Sequence, residues 1–236
     1  MTSLSRSLGS SVGRKMVVAV TGLALLGFVI GHMAGNLQMF LGQDALNSYA
    51  ALLKSKPGLL WGARLGLLAF VGAHIVLALK LAAENKAARP GGYAAHASIQ
   101  STANARTMTL TGLMIVAFVV YHLAHLTWGV TNPADHALVE TLADGTTRPD
   151  VFSAVVLGFQ NPLIAGAYVV AMVLLGLHIG HGIQSVFQTL GLTSSHSRGT
   201  FQKLGAGLTW LIVIGNCAMP IAVLAGVITL PEGVGS

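Results

Sequence analysis

An all-α integral membrane protein with five transmembrane helices is the fold that these residues call for, on three grounds. Of the 236 residues, 53% are hydrophobic and only 8% charged, and the mean hydropathy is +0.72. A soluble domain carries about 25% charged residues. Five apolar runs reach the roughly 20 residues that cross hydrocarbon as helix. Lysine and arginine concentrate in alternate segments between them, as the positive-inside rule expects of the cytoplasmic side. The length leaves room for a single membrane domain over residues 1–236 and little else.

The first run covers about 16–39 and carries His32 and Asn36 near its end. It reads as a retained helix, not as a cleaved signal peptide. From Gln43 to Lys54 the residues Ala45, Leu46, Tyr49, Leu52 and Leu53 recur at helical spacing, which predicts a short interfacial helix on the outer side. Pro57-Gly58 breaks the chain before the second crossing, about 61–83. The third crossing is placed at about 107–130. Asn161-Pro162 reads as a cap followed by proline in the first turn, so the fourth runs over 162–189. The fifth, about 204–230, contains Pro220, which predicts a kink. No internal sequence repeat stands out.

Charge gives the direction. Arg6, Arg14, Lys15, Lys80, Lys86, Arg89, Arg106, Arg198 and Lys203 fall on the side of the N-terminus. Lys54, Lys56, Arg64 and Arg148 fall on the other, with Asp44, Asp135, Glu140, Asp144 and Asp150. The positive-inside rule places the N-terminus in the cytoplasm and, after five crossings, the C-terminus outside. The pI of 9.8 does not signal nucleic acid, because the basic residues are scattered among short loops. The single cysteine, Cys217, lies in an apolar run and reads as a packing residue. It rules out a disulfide within the chain and a four-cysteine iron–sulfur cluster.

Four histidines lie inside the apolar runs: His32, His74, His122 and His178. An ionisable ring in hydrocarbon is a functional candidate by default. The first and third helices run outward and reach His32 and His122 after about 15 residues, or ~24 Å of rise. The second and fourth run inward and reach His74 and His178 about ten residues before their ends, ~15 Å from the inner face. Depth therefore pairs His32 with His122 near the outer side and His74 with His178 near the inner side. The two levels lie roughly 10 Å apart along the membrane normal.

Haem iron accepts two axial imidazoles, and helix bundles build cofactor sites from facing side chains. Two stacked haem b groups inside a bundle of the first four helices, with His32, His74, His122 and His178 on the haem iron, are the expectation. Gly27, Gly31, Gly35, Gly72, Gly176, Gly180 and Gly182 would let a flat ring approach the helices. One histidine alone in a membrane helix is commonly polar glue, but four at two matched depths are not so easily explained. Buried histidines also serve transporters, which usually recruit carboxylates as well. The apolar cores, within these bounds, contain no Asp or Glu.

His125 and His181 each follow a candidate ligand by three residues and are read as propionate or quinone contacts, with exchanged axial roles as the competing assignment. Arg14, Lys15, Arg106 and Lys203, near the inner interface, are further candidates for propionates, or else snorkelling anchors. His96, His136 and His196 fall in loops and read as solvated.

The stretch TGLALLGFVIGHMAGNLQMFLGQDALNSYA, residues 21–50, resembles the opening of the dihaem cytochrome b membrane anchor of succinate dehydrogenases and fumarate reductases. VGAHIVLALK at 71–80, VVYHLAHLTWG at 119–129 and GLHIGHGIQSVFQTLG at 176–191 are similar to that family's later ligand helices. The resemblance runs from about Arg14 into the fifth helix and is most specific in the first stretch.

It implies one axial ligand from each of the first four helices, the first paired with the third and the second with the fourth, which agrees with the depth argument. It favours His122 and His178 over His125 and His181. It also implies partners: a flavoprotein subunit with covalent FAD that oxidises succinate, and an iron–sulfur subunit docked on the cytoplasmic face. The electron acceptor would be a membrane quinone, menaquinone by the habit of the single-chain dihaem anchors. Some members carry a glutamate two residues before the fourth ligand, and this chain departs from that pattern with Gly176.

The expected function is thus that of the anchor and cytochrome b subunit of a succinate:quinone oxidoreductase of the respiratory chain, in the lipid of a bacterial plasma membrane. Two readings compete with it: the cytochrome b subunit of another respiratory dehydrogenase or hydrogenase, and a haem-free histidine-containing transporter.

Overall fold

The computed structural model describes residues 10–88 and 103–234, the side chains of 103–106 excepted. It is mainly helical. In chain order the helices are α1 (Ser11–Asn36), α2 (Gln43–Lys54), α3 (Pro57–Ala87), α4 (Ala103–His122), α5 (Pro133–His136), α6 (Val151–Gln160), α7 (Pro162–Thr189) and α8 (Arg198–Leu224). A 3-10 turn, Leu37–Leu41, prolongs α1, and a π turn, Leu123–Thr127, prolongs α4. One hairpin, β1 (Val139–Thr141) with β2 (Thr147–Pro149), pairs antiparallel with Glu140 opposite Arg148.

Five spans are long and apolar enough to cross a membrane: Ser11–Leu41, Pro57–Ala87, Thr107–Thr127, Pro162–Thr189 and Arg198–Leu224. The shortest has 21 residues, ~32 Å of helix, which matches the hydrocarbon thickness. The five-helix reading therefore holds, and so does the short helix after the first crossing.

Some bounds move, for local reasons. Helix α3 begins at Pro57, whose missing N–H is harmless in a first turn, and it continues to Ala87. That brings Glu84 onto the last turns of a spanning helix, whereas the sequence bounds left it outside. Helix α8 starts at Arg198 and stops at Leu224, six residues before the predicted end. The stop is a Schellman cap. Gly226 takes φ +70°, its N–H bonds the Val223 carbonyl, and Val227 N–H bonds the Ala222 carbonyl. Pro220 is accommodated inside the helix, which continues for another turn. Helix α7 begins as predicted. The Asn161 side-chain oxygen accepts from Leu163 N at 3.0 Å and Ile164 N at 3.4 Å.

The chain divides into two units. Unit 1 draws on 1–28, 64–113 and 175–210, and unit 2 on 29–63, 114–174 and 211–236.

In unit 1, buried positions are sparse and the large apolar side chains face outward, as Leu65, Leu68 and Trp210 do. In a membrane such faces need no protein cover, because lipid tails are as apolar as they are. Arg14 Nη2 donates to Glu84 Oε2 at 2.7 Å, which joins α1 to the end of α3.

Unit 2 has a packed core that includes Met39, Leu46, Phe152, Val156, Phe159 and Tyr168. The segment between the third and fourth crossings, expected to be loop, builds α5, the hairpin and α6. Two polar side chains lock it to α2. Asn47 is fully buried and donates to Glu140 Oε2 and Asp150 Oδ1, both at 2.9 Å, while its own oxygen accepts from Phe152 N. Arg148 donates to Glu140, Asp44 and Ser48. Asp150 caps α6 through Ser153 N at 3.1 Å.

Candidate functional site

In unit 1, His74 projects from α3 onto α1. Its Nδ1 lies 3.1 Å from Thr21 Oγ1 and 3.1 Å from the Val18 carbonyl. A carbonyl only accepts, so Nδ1 carries the proton. The Thr21 hydroxyl is itself committed, since it donates back to the Val17 carbonyl at 2.7 Å and so offers the imidazole a lone pair. His178 on α7 meets α4 in the same way. Its Nδ1 is 3.3 Å from Thr111 Oγ1, and Thr111 donates to the Thr107 and Met108 carbonyls at 3.1 Å each. Both rings are thereby fixed as Nδ1–H tautomers with Nε2 bare, the state of a metal-ligating histidine. A glycine follows each threonine. A Cβ on Gly22 would meet His74 Cε1 at 3.2 Å, and one on Gly112 would meet His178 Cε1 at 3.4 Å. His74 and His178 both belong to unit 1.

In unit 2, His32 and His122 face each other with ring centroids 5.8 Å apart and planes at 87°. Tyr168 OH lies 3.4 Å from His122 Nδ1 and 2.9 Å from His125 Nδ1. His32 Nε2 accepts from Asn36 Nδ2 on its own helix at 3.1 Å, a bond that axial ligation through that nitrogen would replace. His125 is drawn into the core by the π turn and is only 1% exposed. Its Nε2 has no hydrogen-bond partner and packs so closely on α6 that a Cβ on Gly158 would come within 2.7 Å. His125 is therefore walled in by Tyr168 and Gly158, whereas His122 faces His32.

No family model, curated protein or solved structure matches this chain.

Geometry is then the test of fit. Among the described residues no three His, Cys, Asp or Glu side chains converge on one point. Pairs are what an iron already held by four ring nitrogens has room for. Two imidazoles on opposite faces of one metal, each bonded at about 2 Å, bring their ring centres to roughly 6 Å, and His32 and His122 stand at 5.8 Å. The Cβ positions of Gly27, Gly31, Gly72 and Gly182 meet nothing within 4 Å, so a flat ring has space beside the helices that carry the histidines. Gly35 and Gly180 have a different use. Tyr49 fills the space over Gly35 and Thr209 the space over Gly180, so both serve packing.

The remaining candidates are dispersed. Arg14 is engaged by Glu84, while Lys15 and Lys203 are exposed. Arg106 lies in the first turn of α4, with its side chain outside the described residues, as is His96. His181 is half-buried on α7, with no hydrogen bond to a described residue.

Sequence reasoning missed Thr21, Thr111 and Tyr168. The signal for the first two was an overlooked repeat. Thr21-Gly22-Leu23 precedes Phe28-Val29 and His32, and Thr111-Gly112-Leu113 precedes Phe118-Val119 and His122 in the same register. Gly72-x-His74-Ile75 likewise matches Gly176-x-His178-Ile179. Tyr168 leaves no comparable trace, because its contacts come from the packing of distant segments.

Proposed function

We propose that this chain is the membrane anchor and cytochrome b subunit of a succinate:quinone oxidoreductase, with His74/His178 and His32/His122 as two bis-histidine haem b sites. The observation that carries the reading is that His32 and His122 face each other in unit 2, while His74 and His178, both in unit 1, each have Nδ1 held by a threonine and Nε2 left bare. Bound haem would supply the one-electron steps between an iron–sulfur subunit, fed by an FAD flavoprotein, and a membrane quinone. The chain's own residues ligate, fix tautomers and exclude water. The partners, the menaquinone substrate and the cytoplasmic docking face rest on the family resemblance and the charge asymmetry of the loops, as does placement in a bacterial plasma membrane with the N-terminus inside. The buried position of His125 speaks against a second ligand beside His122 in unit 2.

Unit 2 also offers a place for the quinone. A groove of ≈500 Å³ is lined by Phe118, Tyr121, Leu163, Gly166, Ala167 and Val170 among others. Phe118 lies 5.9 Å from His122, ring centre to ring centre. The walls are apolar and open to lipid, and Tyr121 brings the polar atom that a quinone oxygen needs.

A pyridine haemochrome assay on the purified chain tests the main reading, with two haems per chain expected. None would remove it. Co-purification with flavin and iron–sulfur subunits separates this oxidoreductase from other respiratory cytochromes. For the groove, Gly166→Leu fills open space and should lower quinone reduction about 10-fold, a loss of about 1.4 kcal/mol of stabilisation, while haem content stays the same.

A further inference from the structure

We infer that Thr21 and Thr111 are positioning residues that set the ligand strength of His74 and His178, and that they do so as a matched pair acting on a single haem. The inference rests on the dihaem reading and goes beyond it, because neither threonine is a ligand.

The argument begins with hydroxyl bookkeeping. A threonine hydroxyl has one proton and two lone pairs. Thr21 gives its proton to the Val17 or Val18 carbonyl, at 2.7 and 3.1 Å, and Thr111 gives its own to Thr107 or Met108, at 3.1 Å each. Each Oγ1 can then only accept from the imidazole beside it, at 3.1 Å for His74 and 3.3 Å for His178. Both threonines are buried, with 5% and 7% exposure, so water does not substitute for them. An acceptor behind Nδ1–H draws that proton, enriches Nε2 and makes the imidazole a stronger donor, while fixing the ring's rotation about its own bond. The glycine after each threonine lets the ring lie against the helix, since a Cβ would press on Cε1.

The arrangement occurs twice, at the same place in a repeated sequence. Thr-Gly-Leu on α1 serves a histidine on α3, and Thr-Gly-Leu on α4 serves a histidine on α7. All four side chains belong to unit 1. His122, in unit 2, has a tyrosine hydroxyl in this role and its own neighbours. The two threonines should therefore govern the haem at His74/His178 and leave the other alone. A richer ligand favours ferric iron, so loss of the hydroxyl should raise that haem's reduction potential. Second-sphere losses of this kind cost about 10- to 100-fold in metal affinity.

The test uses the full chain in detergent with its haem, and four variants: Thr21→Val, Thr111→Val, Thr21→Ser and Thr111→Ser. The wild type is titrated first. Absence of a bis-imidazole spectrum there defeats the functional reading itself, before any variant is made. With two haem components resolved by potentiometry and low-temperature electron paramagnetic resonance, each Val variant should raise the potential and shift the resonance of one component. It should be the same component in both variants, and each Ser variant should restore it. Unmoved components with haem retained would overturn the inference. So would a Ser variant that behaves like Val, or the two Val variants moving different components. Loss of both haems together in the Val and Ser variants alike would show a general packing role, and would overturn it too.

Discussion

The two units hold a histidine pair by different physics. In unit 1 the support is local. A threonine bonded to its own helix holds each imidazole, joined at His74 by a backbone carbonyl one turn away, and little buried core is required. In unit 2 the support is long-range. Tyr168 reaches His122 only because α6, the α4 π turn and α7 pack into one aromatic cluster, with Phe118, Phe159 and His125 around the tyrosine ring. Two neighbouring turns of one helix are enough to support a histidine that reaches it from another helix. A site of the second kind stands or falls with a core. Substitutions far from the histidines should therefore be tolerated in unit 1 and felt in unit 2.

The strongest way to break this comparison is to remove ligands. His74→Ala or His178→Ala should abolish one low-spin haem signal, and His32→Ala or His122→Ala the other, with nearly complete loss of the affected component in the reduced spectrum. His125→Ala should abolish neither. Loss of a haem with His125→Ala, but not with His122→Ala, would exchange their roles and undo the account of unit 2.

A smaller effect sharpens the long-range half. Gly158 faces His125 Nε2, where a Cβ would come within 2.7 Å. In an exposed helix Gly→Ala gains about 1 kcal/mol. Overpacking a filled core costs about 1–3 kcal/mol, so Gly158→Ala should be neutral to destabilising by about 2 kcal/mol in thermal unfolding in detergent. Combined with His125→Ala, it should lose that penalty and recover the helix gain. Additive effects would mean that the two residues do not share the contact.

The same contrast explains what could be read from the sequence. Helices α1, α3, α4, α7 and α8 were legible because hydrophobic length is decided residue by residue along the chain. The depths of His74 and His178 could be counted from rise along straight helices, and the threonine supports were missed although Thr-Gly-Leu occurs twice. Helix α6 was not legible. Its ten residues, Val151–Gln160, are too few to cross a membrane, and their burial depends on Asn47, 103 residues earlier in the chain, docking on the cap residue Asp150. His125 shows the same limit. Spacing places it one turn nearer the surface than His122, but a π turn and a facing glycine draw it into the core.

The weakest expected effect concerns the polar lock between α2 and α6. Burial alone would raise the Asp150 carboxyl, which is 3% exposed. Hydrogen bonds from Asn47, Ser153 and Gln43 outweigh that and hold it below the usual carboxylate range. Asp44 is lowered as well, by its hydrogen bond and charge interaction with Arg148, and Arg148 is raised by Glu140 and Asp44 and stays charged. A carboxyl lowered in the folded state stabilises above its unfolded value, near ~4. That contribution disappears as pH falls through the folded value. Stability should therefore be level from neutral pH down to about 5 and decline on the acid side of ~4. Asp150→Asn should cost about 1–3 kcal/mol at neutral pH, as for loss of a hydrogen-bonded charge, and should flatten the acid decline. Hydrogen exchange of the α6 amides against pH reads this directly. Because the lock belongs to unit 2, its opening should loosen Tyr168 and disturb the His32/His122 signal at acid pH, while the His74/His178 signal, held by threonines and backbone, stays unchanged. Equal sensitivity of both signals to acid would show that the two kinds of support are not as different as their geometry makes them.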